Sequence, residues 1–248
     1  MLEVSTAVRA TLDAMRRARA PLAMYTLGIL TIQSLTGVFV SPDLLSRKAV
    51  HTSDASALVI SLLVQSYLWC GALNTGLRSG RFQKVSLSDL IVGPSAFLRL
   101  TLVGIVAVVP VCLGLLLLIF PGAYLALMWS QAAPFLLDGR ARLFDSLRMS
   151  AQLTTGVRGR LFLAFLVPGL LELPARIIDR LSTRAAWFES LLGSAVLLLV
   201  GTWQILVSAF ACFLAAILYC RLLESHAEVG TSRTPDATVG EKPGSVHA

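Results

Sequence analysis

Gln33, Gln65, Gln131 and Gln204 each stand near the middle of a long apolar run, where a primary amide is out of place without a partner. Four such amides serve one of two ends. They tie helix to helix by hydrogen bonds, or they form a polar layer at the bilayer midplane that takes a small polar solute. Ser61, Ser66, Ser130, Thr202 and Ser208 add hydroxyls to the same runs. With no Asp, Glu or Lys among these amides, the tie between helices is the favoured reading and the cavity is the alternative. Ion-coupled transport rests on an intramembrane titratable group, and the candidate here is Glu172. Arg176 follows it by four residues in the order that favours a helical ion pair, although Pro174 lies between them.

Catalytic chemistry finds little to work with. No HExxH, GxSxG or phosphate-cradling loop occurs in the sequence. His51, the one histidine ahead of the C-terminal tail, shares a polar loop with Asp43 and Asp54 and reads as solvated. Cys70, Cys112, Cys212 and Cys220 fall in or beside apolar runs with no CxxC pair, which argues for packing and against a zinc site or disulfide framework. No catalytic, cofactor-binding or metal-ligating residue is assigned, and the expectation is a protein that is not an enzyme and holds no cofactor.

The elements that position these residues follow from composition. Of 248 residues, 56% are hydrophobic and 14% charged, with a mean hydropathy of +0.76, which excludes an ordinary soluble domain. The net charge of +7 lies in loops between apolar runs, so it reads as loop charge and not as a nucleic-acid footprint. Apolar runs at about 21–40, 55–77, 97–120, 123–137, 161–173 and 191–218 predict six spans. The fifth is short, interrupted by Pro168-Gly169 and closed by Pro174. An even count puts both ends on one side. The opposite side holds only Arg47, Lys48, Arg176, Arg180 and Arg184 among its near-span cations, so both termini are expected in the cytoplasm of a bacterial-type inner membrane. The expected fold is an all-α polytopic transmembrane bundle with interfacial amphipathic helices. It divides into an N-terminal amphipathic helix (1–20), a membrane domain (21–224) and a disordered cytoplasmic tail (225–248).

Two stretches have helical amphipathicity outside the spans. In residues 2–19, Val4, Val8, Leu12 and Met15 share a face, with Arg9, Arg16 and Arg17 off it. In residues 138–160, Leu143, Phe144, Leu147 and Ala151 form an apolar stripe, and Thr154-Thr155-Gly156 stops the helix with a glycine able to turn left-handed. Arg142 and Arg148 on its polar side are candidate contacts for lipid headgroups. Membrane lipid, and other membrane proteins, are the expected partners.

One ordered series of motifs carries a family likeness. Pro121, Gly122, Tyr124 and Leu125 open a span that ends in APFLLDG at Asp138; Ser146, Leu147, Ser150, Leu153, Thr154 and Gly156 follow. The series, with the loop RSGRFQKVSLSDL before it, resembles a group of uncharacterised prokaryotic integral membrane proteins. That group includes YciC-like proteins and the membrane domain fused to some glycerophosphodiester phosphodiesterases. The likeness covers about residues 78–165 and implies a six-span helical bundle. It implies no activity, because the phosphodiesterase site belongs to a separate domain.

Overall fold

The computed structural model describes residues 3–39, 52–182 and 191–231. Their secondary structure is helical throughout, with no strand among the described residues. Three helices are long and apolar enough to cross a membrane, over Pro94–Leu117, Arg158–Ile178 and Leu198–Ala227. The loop holding Asp43 and His51, the outer loop 183–190, the tail beyond 231 and the side chain of Gln33 lie outside the described residues.

The molecule is arranged around its last helix. We number the α-helices in chain order: α1 (Val4–Arg17), α2 (Arg19–Phe39), α3 (Thr52–Gly80), α4 (Pro94–Leu117), α5 (Ile119–Trp129), α6 (Ala132–Leu137), α7 (Leu143–Leu153), α8 (Arg158–Ser182) and α9 (Leu191–Thr231). A short 3₁₀ turn, Leu87–Leu90, precedes α4. At 1.5 Å per residue α9 is about 60 Å long, and α1, α2, α3 and α8 pack on it. Within its apolar window 72% of residues are buried, against 17% in α4 and 22% in α8. One of these three helices is therefore central, and the other two lie at the periphery.

α1 uses a different face from the one its large apolar residues predict. Ala7, Thr11, Ala14 and Ala18 are wholly buried, while Leu12 is 45% exposed and Val4, Val8 and Met15 only flank the core. Small residues win this face because they let the helix backbone come close to its neighbours. Ala14 and Ala18 meet Phe213 and Ile217 of α9. Ser79 at the end of α3 donates its hydroxyl to the Ala14 carbonyl at 3.0 Å, and Arg17 donates back to the Ser79 carbonyl at 3.2 Å.

The Pro-Gly pair does not end the third span, as its punctuation predicts. α4 stops at Leu117, the chain reverses at the extended Leu118, and Pro121 falls in the first turn of α5. Amides of a first turn have no intrahelical acceptor, so a proline there forfeits nothing. Gly122 has the second role. A Cβ on it would lie 2.4 Å from the Leu115 backbone nitrogen, and one on Gly114 would lie 2.9 Å from Gly122 Cα. The two glycines let α4 and α5 fold back as a hairpin in near backbone contact.

Two more expectations are corrected. The fourth span is not one helix: a turn at Ser130-Gln131 separates α5 from α6. The fifth is not interrupted, since α8 runs through both Pro168 and Pro174. A proline removes one backbone bond without ending a helix that neighbours hold in place, and Trp203 of α9 donates its indole to the Leu171 carbonyl at 2.8 Å between the two.

Candidate functional site

Of the motif residues, Asp138 and Leu153 lie where α3, α6, α7 and α9 meet, Pro121 and Gly122 stand in the α4–α5 hairpin, and each has an architectural task. Asp138, at the end of α6 and 7% exposed, takes Arg81 Nη2 on one oxygen at 2.5 Å and Arg140 Nε on the other at 2.5 Å. Tyr219 of α9 donates its hydroxyl to that second oxygen at 2.9 Å. Burial alone would raise the Asp138 carboxyl. The hydrogen bonds from Arg81 and Tyr219 and the charges of Arg81 and Arg140 outweigh it and hold the group below its ordinary value. Arg81 answers in kind: burial opposes its charge, but Asp138 leaves it raised. A second buried aspartate, Asp89, pairs with Arg78 at 2.7 Å and accepts the Ser86 amide at 2.8 Å, which pins the 3₁₀ turn onto α3.

Ser150 bridges the break between α5 and α6. Its hydroxyl donates to the Met128 carbonyl at 2.7 Å and accepts the Gln131 amide at 3.1 Å. These are backbone groups that the turn between α5 and α6 releases, and burial without partners would cost about 1–3 kcal/mol each. Tyr124 is joined to Arg158, which stacks over its ring and also donates to the Ala151 carbonyl at 3.2 Å. Leu147 and Leu153 are core residues, Thr154 is wholly buried, and Gly156 turns the chain at φ 82°.

α7 turns inward a different face from the one its large apolar residues predict. Ser146, Leu147, Ser150 and Leu153 point inward, and Phe144 is 69% exposed. The rotation follows from the serine's work: the face that carries Ser150 has to meet the α5–α6 break. Arg142 and Arg148 are thereby left exposed. With Arg99 of α4 and Arg140 they border an open concavity of about 530 Å³, with Asp145 the one acid on it. Among the described residues Arg99, Arg142 and Arg148 form no ion pair or side-chain hydrogen bond, whereas Arg140 is anchored by Asp138. The arrangement is a cationic shelf whose loop is fixed by a buried carboxylate and whose other guanidinium groups are unspent. It can take an anion with several oxygens, such as a phosphate.

Of the three glutamines whose side chains are described, two share a pocket and one stands apart. Gln65 of α3 and Gln204 of α9 share a pocket of about 330 Å³ with Ser208, Ile29 and the Glu172–Arg176 pair. Gln131 is elsewhere, wholly buried beside Ser130, its amide nitrogen 3.3 Å from the Ser130 hydroxyl and its carbonyl oxygen without a partner. Gln65 also edges an apolar cleft of about 750 Å³ between α3 and α4 that Ser130 and Thr101 reach. Pro174 does not spoil the ion pair: Arg176 Nη2 and Nε stand 2.7 and 3.0 Å from one Glu172 oxygen. Among the described residues no three His, Cys, Asp or Glu side chains gather as a metal site would require.

The long-range pairs Arg81–Asp138–Tyr219 and Arg78–Asp89 escape a reading of the sequence. There Arg78 and Arg81 register only as loop charges, and no spacing links positions so far apart. No family model, curated protein or solved structure matches the chain.

Proposed function

We propose that the chain is a six-span integral protein of a bacterial-type inner membrane, with both termini cytoplasmic, and that it binds anionic phospholipid headgroups as a lipid-handling partner in envelope maintenance and not as an enzyme. The observation that carries this reading is the shelf of Arg99, Arg140, Arg142 and Arg148 beside the apolar flank of α4. Guanidinium groups at such a border attract anionic lipid, each by roughly 1 kcal/mol. The ordered motifs from Pro121 to Gly156 support the same assignment through the protein group they resemble.

The test is lipid retention on the purified protein. Phosphatidylglycerol is expected to be enriched over phosphatidylcholine, and the double variant Arg142→Gln/Arg148→Gln to lose about tenfold or more of that enrichment. Equal retention of both lipids, or no change in the variant, overturns the reading. A second reading, a small permease subunit, is favoured by the pocket that Gln65 and Gln204 share with Glu172. Saturable uptake of a polar solute into proteoliposomes, lost on Gln204→Leu, would replace the first reading with this one.

A further inference from the structure

The shelf between α4 and α7 bears more positive charge than one phosphodiester cancels. Arg99, Arg142 and Arg148 each bring one charge and have no ion-pair partner among the described residues. Asp138 holds two arginines, Arg81 and Arg140, so that cluster keeps one positive charge over, and it reaches the shelf through Arg140. Asp145 is the one acid against these four charges, which leaves a surplus of three. Exposed guanidinium groups are stable in water, so the surplus does not demand an occupant. It ranks anions by the charge they bring and by where they carry it.

The positions of the cations favour two phosphates over one. Arg99 stands on α4, while Arg142 and Arg148 stand at the start and in the middle of α7. Arg140 follows a left-handed turn at Gly139, φ 68°, and gives its Nε to Asp138, so its two Nη nitrogens meet no acceptor among the described residues. The cations thus come from separate elements around a hollow of about 530 Å³. A phosphate has five heavy atoms and fills on the order of 150 Å³ even at about 30 Å³ apiece, the share of a water molecule. The hollow has room for two.

The surface beside the shelf sets the direction of an acyl chain. From Arg99 to Leu117, α4 carries no further charge, and Leu102, Ile105 and Val109 are exposed along that stretch. A headgroup at Arg99 therefore lies at the start of an apolar flank that begins one turn on and continues along the helix. Phe144, between Arg142 and Arg148 in sequence, is 69% exposed and adds an apolar contact on the α7 side.

We infer that the shelf holds a lipid with two phosphodiesters joined by a short polyol, of the cardiolipin type. One phosphate sits on Arg142 and Arg148, the other on Arg99 and the free Nη nitrogens of Arg140, and acyl chains run along Leu102, Ile105 and Val109. The inference rests on the proposal that the shelf binds anionic lipid, and it names the lipid.

Native mass spectrometry of the purified full chain, offered cardiolipin, phosphatidylglycerol, phosphatidic acid and phosphatidylcholine of identical acyl chains, tests it. At equal phosphate, cardiolipin retention is expected to exceed phosphatidylglycerol by about tenfold or more, because its second phosphate engages guanidinium groups that the first leaves free. Phosphatidic acid, whose charge sits on one phosphate, should fall below cardiolipin. Arg99→Gln should bring cardiolipin down to the phosphatidylglycerol level and leave the lead of phosphatidylglycerol over phosphatidylcholine in place. Arg99→Lys, which keeps the charge, should retain most of the preference. Arg99 is exposed, so neither change disturbs the packing. The deacylated cardiolipin headgroup should compete poorly, since it leaves the apolar flank empty. Cardiolipin no better than phosphatidylglycerol, phosphatidic acid equal to cardiolipin, a preference that survives Arg99→Gln, or competition by the deacylated headgroup at equal concentration each overturns the inference. In each of these the lead of phosphatidylglycerol over phosphatidylcholine still supports the preceding proposal; its absence overturns that proposal as well.

Discussion

Leu218 and Leu116 are both leucines in long apolar helices, yet Leu218 is wholly buried and Leu116 is 86% exposed. The first belongs to the layer where α1, α3, α6, α7 and α9 converge around Asp138, and the second to the tip of the α4–α5 hairpin. In the convergent layer, apolar packing of Leu73, Phe135, Leu153, Leu161 and Tyr219 is interleaved with ion pairs and hydroxyl bridges that fix each loop. At the tip, Leu116, Leu117, Leu118 and Phe120 all face outward, and the two helices of the hairpin meet backbone to backbone at Gly114 and Gly122. In the membrane reading proposed above, the difference shows what a bilayer changes. Where the environment is as apolar as leucine, no hydrophobic gain draws helices together, and cohesion comes from close packing and polar ties. Among the described residues the ion pairs of Asp138 and the bridge made by Ser150 lie at one end.

Removing the hub should have the largest effect. Asp138→Ala leaves Arg81, Arg140 and Tyr219 facing a space their charge partner once filled, and a loss of about 2–3 kcal/mol is expected, the penalty of a broken buried pair discounted because the two guanidinium groups are part exposed. Denaturant unfolding in detergent, followed by tryptophan fluorescence, measures it. The same group gives a pH signature. Its folded value lies below its unfolded one, so its contribution is whole above the unfolded value of about 3.9 and drains away as pH falls through the folded value. Stability should therefore be level from neutral pH downward and fall in the acid range, with a shallower fall in Asp138→Ala. A variant as stable as the parent would mean that the layer is held by packing alone.

Ser150→Ala comes next. It removes one hydroxyl but leaves the Met128 carbonyl and Gln131 amide unmet, for an expected cost of about 1–2 kcal/mol. Ser150→Thr keeps the hydroxyl and should recover part of it. Equal stability of the alanine and parent proteins would show that the α5–α6 turn finds its partners elsewhere.

Much of this architecture can be read from residue types, and the failures have common causes. Apolar run length gives α4 and α9, and glycine at position 156 gives the left-handed turn, because both are local properties. The inward faces of α1 and α7 are misread for one reason: periodicity ranks faces by hydrophobicity, whereas Ala7, Thr11 and Ala14 win by closeness and Ser150 by hydrogen bonding to a distant break. Prolines at 121, 168 and 174 read as stops although two lie inside α8 and one at the harmless start of α5, since their cost depends on which amide would otherwise have bonded. The Glu172–Arg176 pair is legible from spacing. Its convergence with Gln65 and Gln204 is not, because it depends on how α3, α8 and α9 pack.

The smallest effect is expected at the hairpin tip. Truncating Leu116 to alanine removes side-chain atoms that touch little protein, and in lipid those atoms lose no transfer free energy that water would have imposed. The change should stay within about 0.5 kcal/mol, whereas Leu218→Ala, from the packed layer, should cost about 2–4 kcal/mol through lost contacts and the cavity left behind. Measured side by side under one detergent, the two truncations test the contrast directly. A Leu116→Ala cost approaching that of Leu218→Ala would mean that the tip is covered in the membrane by a second copy or another protein. The polar ties around Asp138 would then be one of two centres of cohesion and not the single one.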